Sequence, residues 1–287
     1  MKKTIRNALD DGLKILSHNN IVDARLDVNL LLEHVLKVDK VYTIINSNEL
    51  ISDEKYNLYI NLIEMRAKGR PLQYIIGYQE FMGLTFKVNE NVLIPRQDTE
   101  VLVLKAIEYI RENNITNILE IGTGTGCIPI SICYNCKDVM ATTVDISNEA
   151  LKIAEDNATI NDVTDRIQYV RSNLFENVDE DCDYQLFISN PPYIRSKDIS
   201  GLMVEVKEHE PLGALDGGED GLYFYREISK EVKKRTKKRS YVLYEVGYDQ
   251  SADVKMILDA LGYGDIKTYK DLAGINRVVA GAYNNKG

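Results

Sequence analysis

The 287-residue sequence has only three histidines and four cysteines, and no apolar run approaches the roughly 20 residues of a membrane-spanning helix. Each shortage removes a class of function. Cys127, Cys133, Cys136 and Cys182 are too few and too clustered for a secreted disulfide framework. Cys133 and Cys136 form a C-x-x-C, but no second pair accompanies it, and His18, His34 and His209 lie far off in the chain. Neither zinc nor redox chemistry is expected, and the thiols read as small buried side chains on a helix. The opening residues, MKKTIRNALDDG, lack the apolar core of a signal peptide, so a cytoplasmic protein with no membrane association is expected. Positive charge is also scarce. Against 44 Asp and Glu stand 35 Lys and Arg, a formal net charge of -9, which disfavours a broad basic face for duplex DNA. What remains, 44% hydrophobic and 28% charged, is an ordinary globular composition on a chain long enough for an α/β domain with a smaller companion.

The first part of the chain reads as helical. Val28, Leu31, Leu32, Val35 and Leu36 recur at i, i+3, i+4, i+7 and i+8, one apolar stripe at helical period. Ile5, Leu9, Leu13 and Leu16 form a similar face behind Thr4, and Tyr59, Leu62, Ile63 and Arg66 follow Ser52; Thr4 and Ser52 are the expected N-caps. Residues 1–75 are thus assigned to a helical bundle. In RPLQYIIGYQEFMGLTFKVNENVLIPRQDTE, Gly69, Gly77 and Gly83 punctuate runs rich in Phe, Tyr, Ile and Val, and Asn89-Glu90-Asn91 lies between two runs as a turn would. A β-hairpin linker is expected over 76–97, closed by Pro95 before a helix beginning near Asp98 or Thr99. The remaining domain is taken as 98–287, and after residue 115 strands and helices alternate, with strands over 117–121, 141–145, 167–170, 185–189 and 241–246. That alternation predicts a parallel sheet covered by helices on both faces, with ligands outside the carboxyl ends of its strands.

Four successive strand ends carry polar or flexible residues. The first is LEIGTGTGCI, in which Gly122, Gly124 and Gly126 alternate with Thr123 and Thr125. Such a turn lets a ligand approach the backbone at a helix N-terminus. A dinucleotide fingerprint would place its third glycine at Cys127, and no Lys-Ser/Thr follows for a triphosphate loop. At the second end, Asp145 lies about 20 residues downstream, the spacing of a carboxylate that accepts from a ribose diol. It could instead cap the next helix, a role open to Ser147. At the third, Asn173 and Leu174 are placed to border an adenine, one by polar contact and one by packing. The fourth is LFISNPPYIRS, where Pro191 and Pro192 fix φ and remove N–H groups, leaving carbonyl acceptors and few donors. Alone, that is a rigid turn; as the fourth of the row, it is a place to receive N–H groups.

With these residues in hand, the chain resembles the class I S-adenosylmethionine-dependent methyltransferases. EIGTGTG is similar to their cofactor turn, and Asn190-Pro191-Pro192-Tyr193 to the motif of enzymes that methylate planar amide or exocyclic amino nitrogens. Five blocks in order, RPLQYIIGYQEFMGLTFKVNENVLIPRQDTE, NPPYI, HEPLGALDGGEDGL, YEVGYDQ and KDLAGINRVVAG, resemble the peptide chain release factor glutamine methyltransferases. DARLDVNLLLEHVL matches that family's N-terminal bundle. The resemblance implies a Rossmann-like seven-stranded methyltransferase sheet, with an N-terminal helical bundle that docks the release factor and a β-hairpin linker. It implies S-adenosyl-L-methionine as cofactor, S-adenosyl-L-homocysteine as product, and transfer to the glutamine of a Gly-Gly-Gln loop. Cofactor contacts then fall to Gly122, Thr123, Gly124, Thr125, Gly126, Asp145, Asn173, Leu174 and Asn190; catalysis and substrate binding fall to Asn190, Pro191, Pro192 and Tyr193. No metal is implied. The expected partner of a monomer is a release factor, with no nucleic acid required.

The sequence departs from the family pattern at Gln97, where a second proline is usual, at His209, where Phe is common, and at Asn173, where Asp is usual. An amide oxygen can accept the same bond as a carboxylate. A glutamine amide nitrogen is a poor nucleophile and must be held in line with the methyl–sulfur bond. Asn190 Oδ1 and the Pro191 carbonyl are expected to accept its N–H groups, with Tyr193 packed against the flat amide and no dedicated base. KEVKKRTKKRS, residues 230–240, reads as a solvated helix face with cations near its C-terminus. Two rival readings share these motifs: an adenine-N6 methyltransferase, and a catalytically silent cofactor-binding module that docks a partner.

Overall fold

The computed structural model describes residues 3–285. The chain divides into two compact units, Met1–Gly77 with Met203–His209, and Tyr78–Leu202 with Glu210–Gly287. In the first, β1 (Lys3–Thr4) pairs antiparallel with β2 (Leu50–Ile51). Thr4 caps α1 (Ile5–His18) by accepting from the Asn7 backbone N–H at 3.2 Å, and Asn7 Oδ1 accepts from the Thr4 N–H in return. Helices α2 (Ala24–Leu36), α3 (Lys40–Ile45), α4 (Asp53–Ala67) and α5 (Leu72–Ile76) complete the bundle. Ser52 caps α4 by accepting from the Lys55 N–H at 3.2 Å.

The expected stripe of α2 is buried at Val28, Leu31, Leu32 and Val35, against Ile5, Ala8 and Leu16 of α1 and Tyr59 and Ile63 of α4. Arg66 continues that α4 face although it is charged. It is buried because Asp27 Oδ2 accepts from its Nε at 2.6 Å and Glu205 Oε1 lies 2.5 Å from its Nη1. A buried cation needs such partners.

The second unit opens with a hairpin, β3 (Tyr78–Phe81) against β4 (Leu84–Lys87). Its turn is Met82-Gly83, with φ of 53° and 72°, and not Asn89-Glu90-Asn91. Two residues at positive φ match the right-handed twist of the flanking strands, which a longer polar turn does not need to do. Asn91 N–H does donate to Asn89 Oδ1 at 2.9 Å, but the chain after it runs irregularly to α6 (Gln97–Asn113). That helix begins slightly before the expected Asp98.

The remaining elements alternate as expected: β5 (Asn117–Ile121), α7 (Cys127–Asn135), β6 (Met140–Asp145), α8 (Asn148–Ile160), β7 (Ile167–Arg171) and β8 (Leu186–Ser189). There follow α9 (Val204–His209, in the first unit), α10 (Tyr223–Arg235), β9 (Arg239–Glu245), α11 (Ser251–Ala260), β10 (Gly264–Lys270) and β11 (Asn276–Asn284). Seven strands form one sheet in the order β10-β11-β9-β8-β5-β6-β7, parallel from β9 to β7, with β11 antiparallel to both neighbours. This is the Rossmann-like methyltransferase sheet that the resemblance implied.

Strand periodicity sorts the side chains into two cores. Ile118, Leu186, Ile188 and Leu243 join Leu102, Val103 and Ile107 of α6 on one face. Leu119, Phe187, Val242 and Tyr244 join Tyr225, Ile228 and Val254 on the other. The chain winds outward from β5 through β6 to β7, and from β8 to β9 in the opposite direction, so a crevice opens where the order reverses. Among the described residues no helix is long and apolar enough to cross a membrane.

Candidate active site

A cavity of about 390 Å³ lies at the exits of the central strands, within the range of roughly 300–1,000 Å³ usual for small-molecule sites. Gly122, Thr123, Gly124 and Thr125 line it after β5, Asp145 at the end of β6, Asn173 and Leu174 after β7, and Asn190, Pro191 and Pro192 after β8. Of the residues singled out from sequence, Gly126 and Tyr193 are not on its wall.

The β5 exit is folded by its neighbour. Gly122 and Thr123 N–H groups donate to the Val144 carbonyl at 2.9 and 3.0 Å, and the Gly124 N–H donates to Asp145 Oδ2 at 3.0 Å. Gly122 and Gly124 have φ of 89° and 52°, and an added Cβ at either would meet nothing within 4 Å, so the loop presents bare backbone to open space. Gly126 differs. A Cβ there would fall 2.9 Å from both Ala154 Cβ and Ile130 Cδ1, so its role is packing. Asp145 Oδ1 accepts from the Ser147 N–H at 2.9 Å, whereas Ser147 caps α8 by accepting from the Ala150 N–H at 3.1 Å. The carboxylate at the cavity is therefore not the helix cap.

Asn173 is exposed and its Nδ2 donates to Glu176 Oε1 at 2.8 Å. Leu174 holds φ at 52°, a left-handed conformation that a branched side chain adopts only under constraint, and leans on the second core.

Glu120 was not singled out from the sequence, yet it lines the cavity and is 1% exposed. Its Oε2 accepts from Thr143 Oγ1, while Oε1 has no hydrogen-bond partner among the described residues. Burial pushes its carboxyl well above the usual carboxylate range. The signal was an acid inside an otherwise apolar strand, ILEI, which calls for a partner. An orphaned carboxylate oxygen at a cavity wall suits a cationic ligand group.

At the β8 exit, Asn190 Nδ2 donates to Thr99 Oγ1 at 3.3 Å. Buried Glu245, at the end of β9 beside β8, lies close to both and feels their donors. The turn is clamped by the HEPLGALDGGEDGL block. The Ile194 N–H donates to the Leu215 carbonyl at 3.0 Å, and the Gly217 N–H donates back to the Ile194 carbonyl at 2.8 Å. Gln250 Nε2 donates to the Tyr193 and Gly221 carbonyls at 2.9 and 3.1 Å. A Cβ on Gly217 would sit 2.7 Å from the Pro192 carbonyl oxygen, so only glycine admits this approach. Tyr193 itself packs against the second core beside Gly247, where burial pushes its phenol up to about 12. Arg96 and Pro211 form part of the rim, and Arg96 pairs with buried Glu210.

Burial also pushes the Cys127 and Cys133 thiols up to about 12, so neither is a nucleophile at neutral pH. The cations of 230–240 are largely taken by local partners. Lys230 and Lys234 pair with Glu227 and Glu231 at 2.7 and 2.5 Å, and Arg235 donates to the Phe175 and Val178 carbonyls at 3.2 and 3.3 Å.

A parallel sheet reversing between β5 and β8, a glycine exit tied to an acid on the next strand, and an Asn-Pro-Pro exit facing both define a class I methyltransferase. The chain is 40% identical over 269 residues to the release factor glutamine methyltransferase of Fusobacterium nucleatum, covering 93% of this chain and 76% of that one. It is 39% identical to the Clostridium acetobutylicum enzyme of the same name, over 96% of this chain and 97% of that one. A PrmC N-terminal domain model matches residues 7–77 and a methyltransferase small domain model residues 98–207. This chain belongs to the release factor glutamine methyltransferase family. The hMettl16 catalytic domain, solved in complex with a 3′UTR hairpin, shares the fold at a TM-score of 0.56 with 17% identity, over 79% of this chain and 83% of that one.

Proposed function

We propose that this enzyme methylates the side-chain amide nitrogen of the glutamine in the Gly-Gly-Gln motif of peptide chain release factors, with S-adenosyl-L-methionine as donor. The observation that carries the reading is Asn190, whose nitrogen is engaged by Thr99 at the back of a proline-stiffened turn that forms one wall of the cavity. The names of the relatives supply the substrate class.

When bound, the cofactor supplies an activated methyl group on a sulfonium. Asp145 would accept from its ribose diol, Asn173 and Leu174 would border its adenine, and Gly122 to Thr125 would leave room for its methionine part, with Gly126 bracing that loop from behind; the position of the first seven on the cavity wall supports this reading. The orphaned Glu120 oxygen fits its ammonium. Asn190 Oδ1 and the Pro191 carbonyl accept the two N–H bonds of the substrate amide, orienting the nitrogen and stabilising the positive charge that develops on it. Pro192 and Tyr193 hold these acceptors in place. The helical bundle supplies the release factor docking surface, and this substrate places the enzyme in the cytoplasm.

The test is to incubate the enzyme with methyl-labelled S-adenosyl-L-methionine and, separately, a release factor, the same factor with its glutamine changed to alanine, and nucleic acid. Label is expected on the intact factor alone, with S-adenosyl-L-homocysteine released. Label on nucleic acid would favour amino-group methylation of bases, and label on the glutamine-free factor would refute the site of transfer.

A further inference from the structure

Glu245 is 2% exposed and absent from the cavity wall, yet it ends the strand next to β8 and reaches Asn190 and Thr99 from behind. Its Oε2 has no hydrogen-bond partner among the described residues. A carboxylate kept buried beside the central amide of a site, with one oxygen left without a partner, is costly to retain as mere filling. We propose that Glu245 is a positioning residue for methyl transfer: it holds the Asn190 amide with its nitrogen turned inward and its oxygen turned to the cavity. The inference rests on the reading of Asn190 as the acceptor of the substrate amide.

The reasoning is one of donor and acceptor inventory. An asparagine amide can rotate so that oxygen and nitrogen exchange places, and Thr99 alone does not prevent this, because a hydroxyl both donates and accepts. An ionised carboxylate only accepts. Facing one, Asn190 must offer Nδ2, and Oδ1 is left to the substrate. A protonated carboxyl also donates, so both amide orientations become acceptable and the fraction of enzyme with its acceptor forward falls.

The charge state of Glu245 therefore sets the orientation of Asn190, through which it acts on a substrate it does not itself touch. The groups facing it are Asp98 at the start of α6, Arg277 on β11, Tyr193, Tyr225 on α10 and Cys127 on α7. Burial raises its carboxyl to about 7, with the donors Thr99 and Asn190 and the Arg277 cation opposing and Asp98 reinforcing the rise. Turnover should then increase with pH through about 7 and level off above it.

The isosteric variant Glu245→Gln both donates and accepts at every pH, and so mimics the protonated enzyme. With cofactor and release factor saturating, it is expected to lack the limb and to run about tenfold below the wild-type plateau at high pH, the scale of one charge-assisted hydrogen bond. It should converge on the wild-type rate at low pH. S-adenosyl-L-homocysteine affinity by calorimetry should be unchanged, since Glu245 does not line the cavity. A variant that keeps the wild-type limb and plateau overturns the inference, as does a uniform loss at all pH values, the mark of a purely structural role. Asn190→Ala is assayed alongside. If it retains turnover, the reading of Asn190 fails and the Glu245 inference with it; if it loses turnover while Glu245→Gln behaves as wild type, only the Glu245 inference falls.

Discussion

Two strand exits face the same cavity and are built by opposite means. The chain leaves β5 through Gly122 and Gly124, at φ of 89° and 52°, and makes room by omitting side chains. Its N–H groups are turned back onto Val144 and Asp145. From β8 the chain leaves through Asn190, Pro191 and Pro192, where the N–H groups of the prolines do not exist and the carbonyls have fixed direction. The glycine exit is permissive in itself and relies on β6 for its shape. The proline exit is stiff in itself and is still clamped by Gly217, Gly221 and Gln250. A wall that accommodates a ligand needs volume; a group that aims a nucleophile needs direction, and support behind it.

If the two exits have separate duties, substitutions should separate binding from turnover. The largest effect is expected from Asn190→Ala, with kcat falling about 10²–10³-fold, as when one preorganised polar group facing developing charge is removed. S-adenosyl-L-homocysteine affinity, measured by calorimetry, should change little, because Asn190 contributes only a small part of the cofactor's wall. Next comes Asp145→Ala. Loss of a charged acceptor weakens cofactor binding by roughly 10–100-fold, while kcat at saturating cofactor stays within a few-fold of wild type. A shared loss of affinity and turnover in both variants would break the division of labour.

The strands were legible because central parallel strands read as apolar runs and β7, at the sheet edge, as an alternating one: Asn117–Ile121 is bounded as expected, and the next three to within a residue. The edge pair was not read from the residues. Gly264–Lys270 mixes charge into its pattern, and Asn276–Asn284 carries Gly281, whose added Cβ would meet Leu258 Cδ1 at 3.1 Å. Small residues chosen for helix packing blunt the β signal. At the site, glycine and proline were visible because they alter the backbone locally. Glu120, Thr99 and Glu245 were not, because each depends on partners brought together by the fold, such as Thr99 and Asn190, 91 positions apart. The hairpin turn was misplaced because Met82-Gly83 has less turn character in composition than Asn89-Glu90-Asn91, although its backbone fits the strands better.

Support behind the proline exit can be weakened without touching the cavity. Gly217→Ala places a methyl 2.7 Å from the Pro192 carbonyl oxygen and the same distance from Tyr193 Cα, both backbone atoms that yield only if the turn shifts. Overpacking of this kind should destabilise by about 1–3 kcal/mol in chemical denaturation. A shift of a few tenths of an ångström should lower kcat roughly tenfold with cofactor affinity retained, because alignment is lost sooner than contact. Unchanged turnover would mean that the prolines alone suffice.

The smallest effect is expected far from both exits, on the basic face of α10. Lys230 and Lys234 pair with Glu227 and Glu231 at the i, i+3 spacing, with side chains 50% and 68% exposed. Pairs so open to water contribute under about 1 kcal/mol, and long side chains lose entropy in forming them. Reversing both charges with Lys230→Glu and Lys234→Glu should leave release factor methylation within about twofold of wild type at moderate salt, where exposed charges are screened over roughly 10 Å. A large rise in KM for the release factor, relieved neither by salt nor by restoring a single lysine, would instead make this face part of substrate recognition. Directional support would then matter at the surface of the domain as well as at the exit of β8.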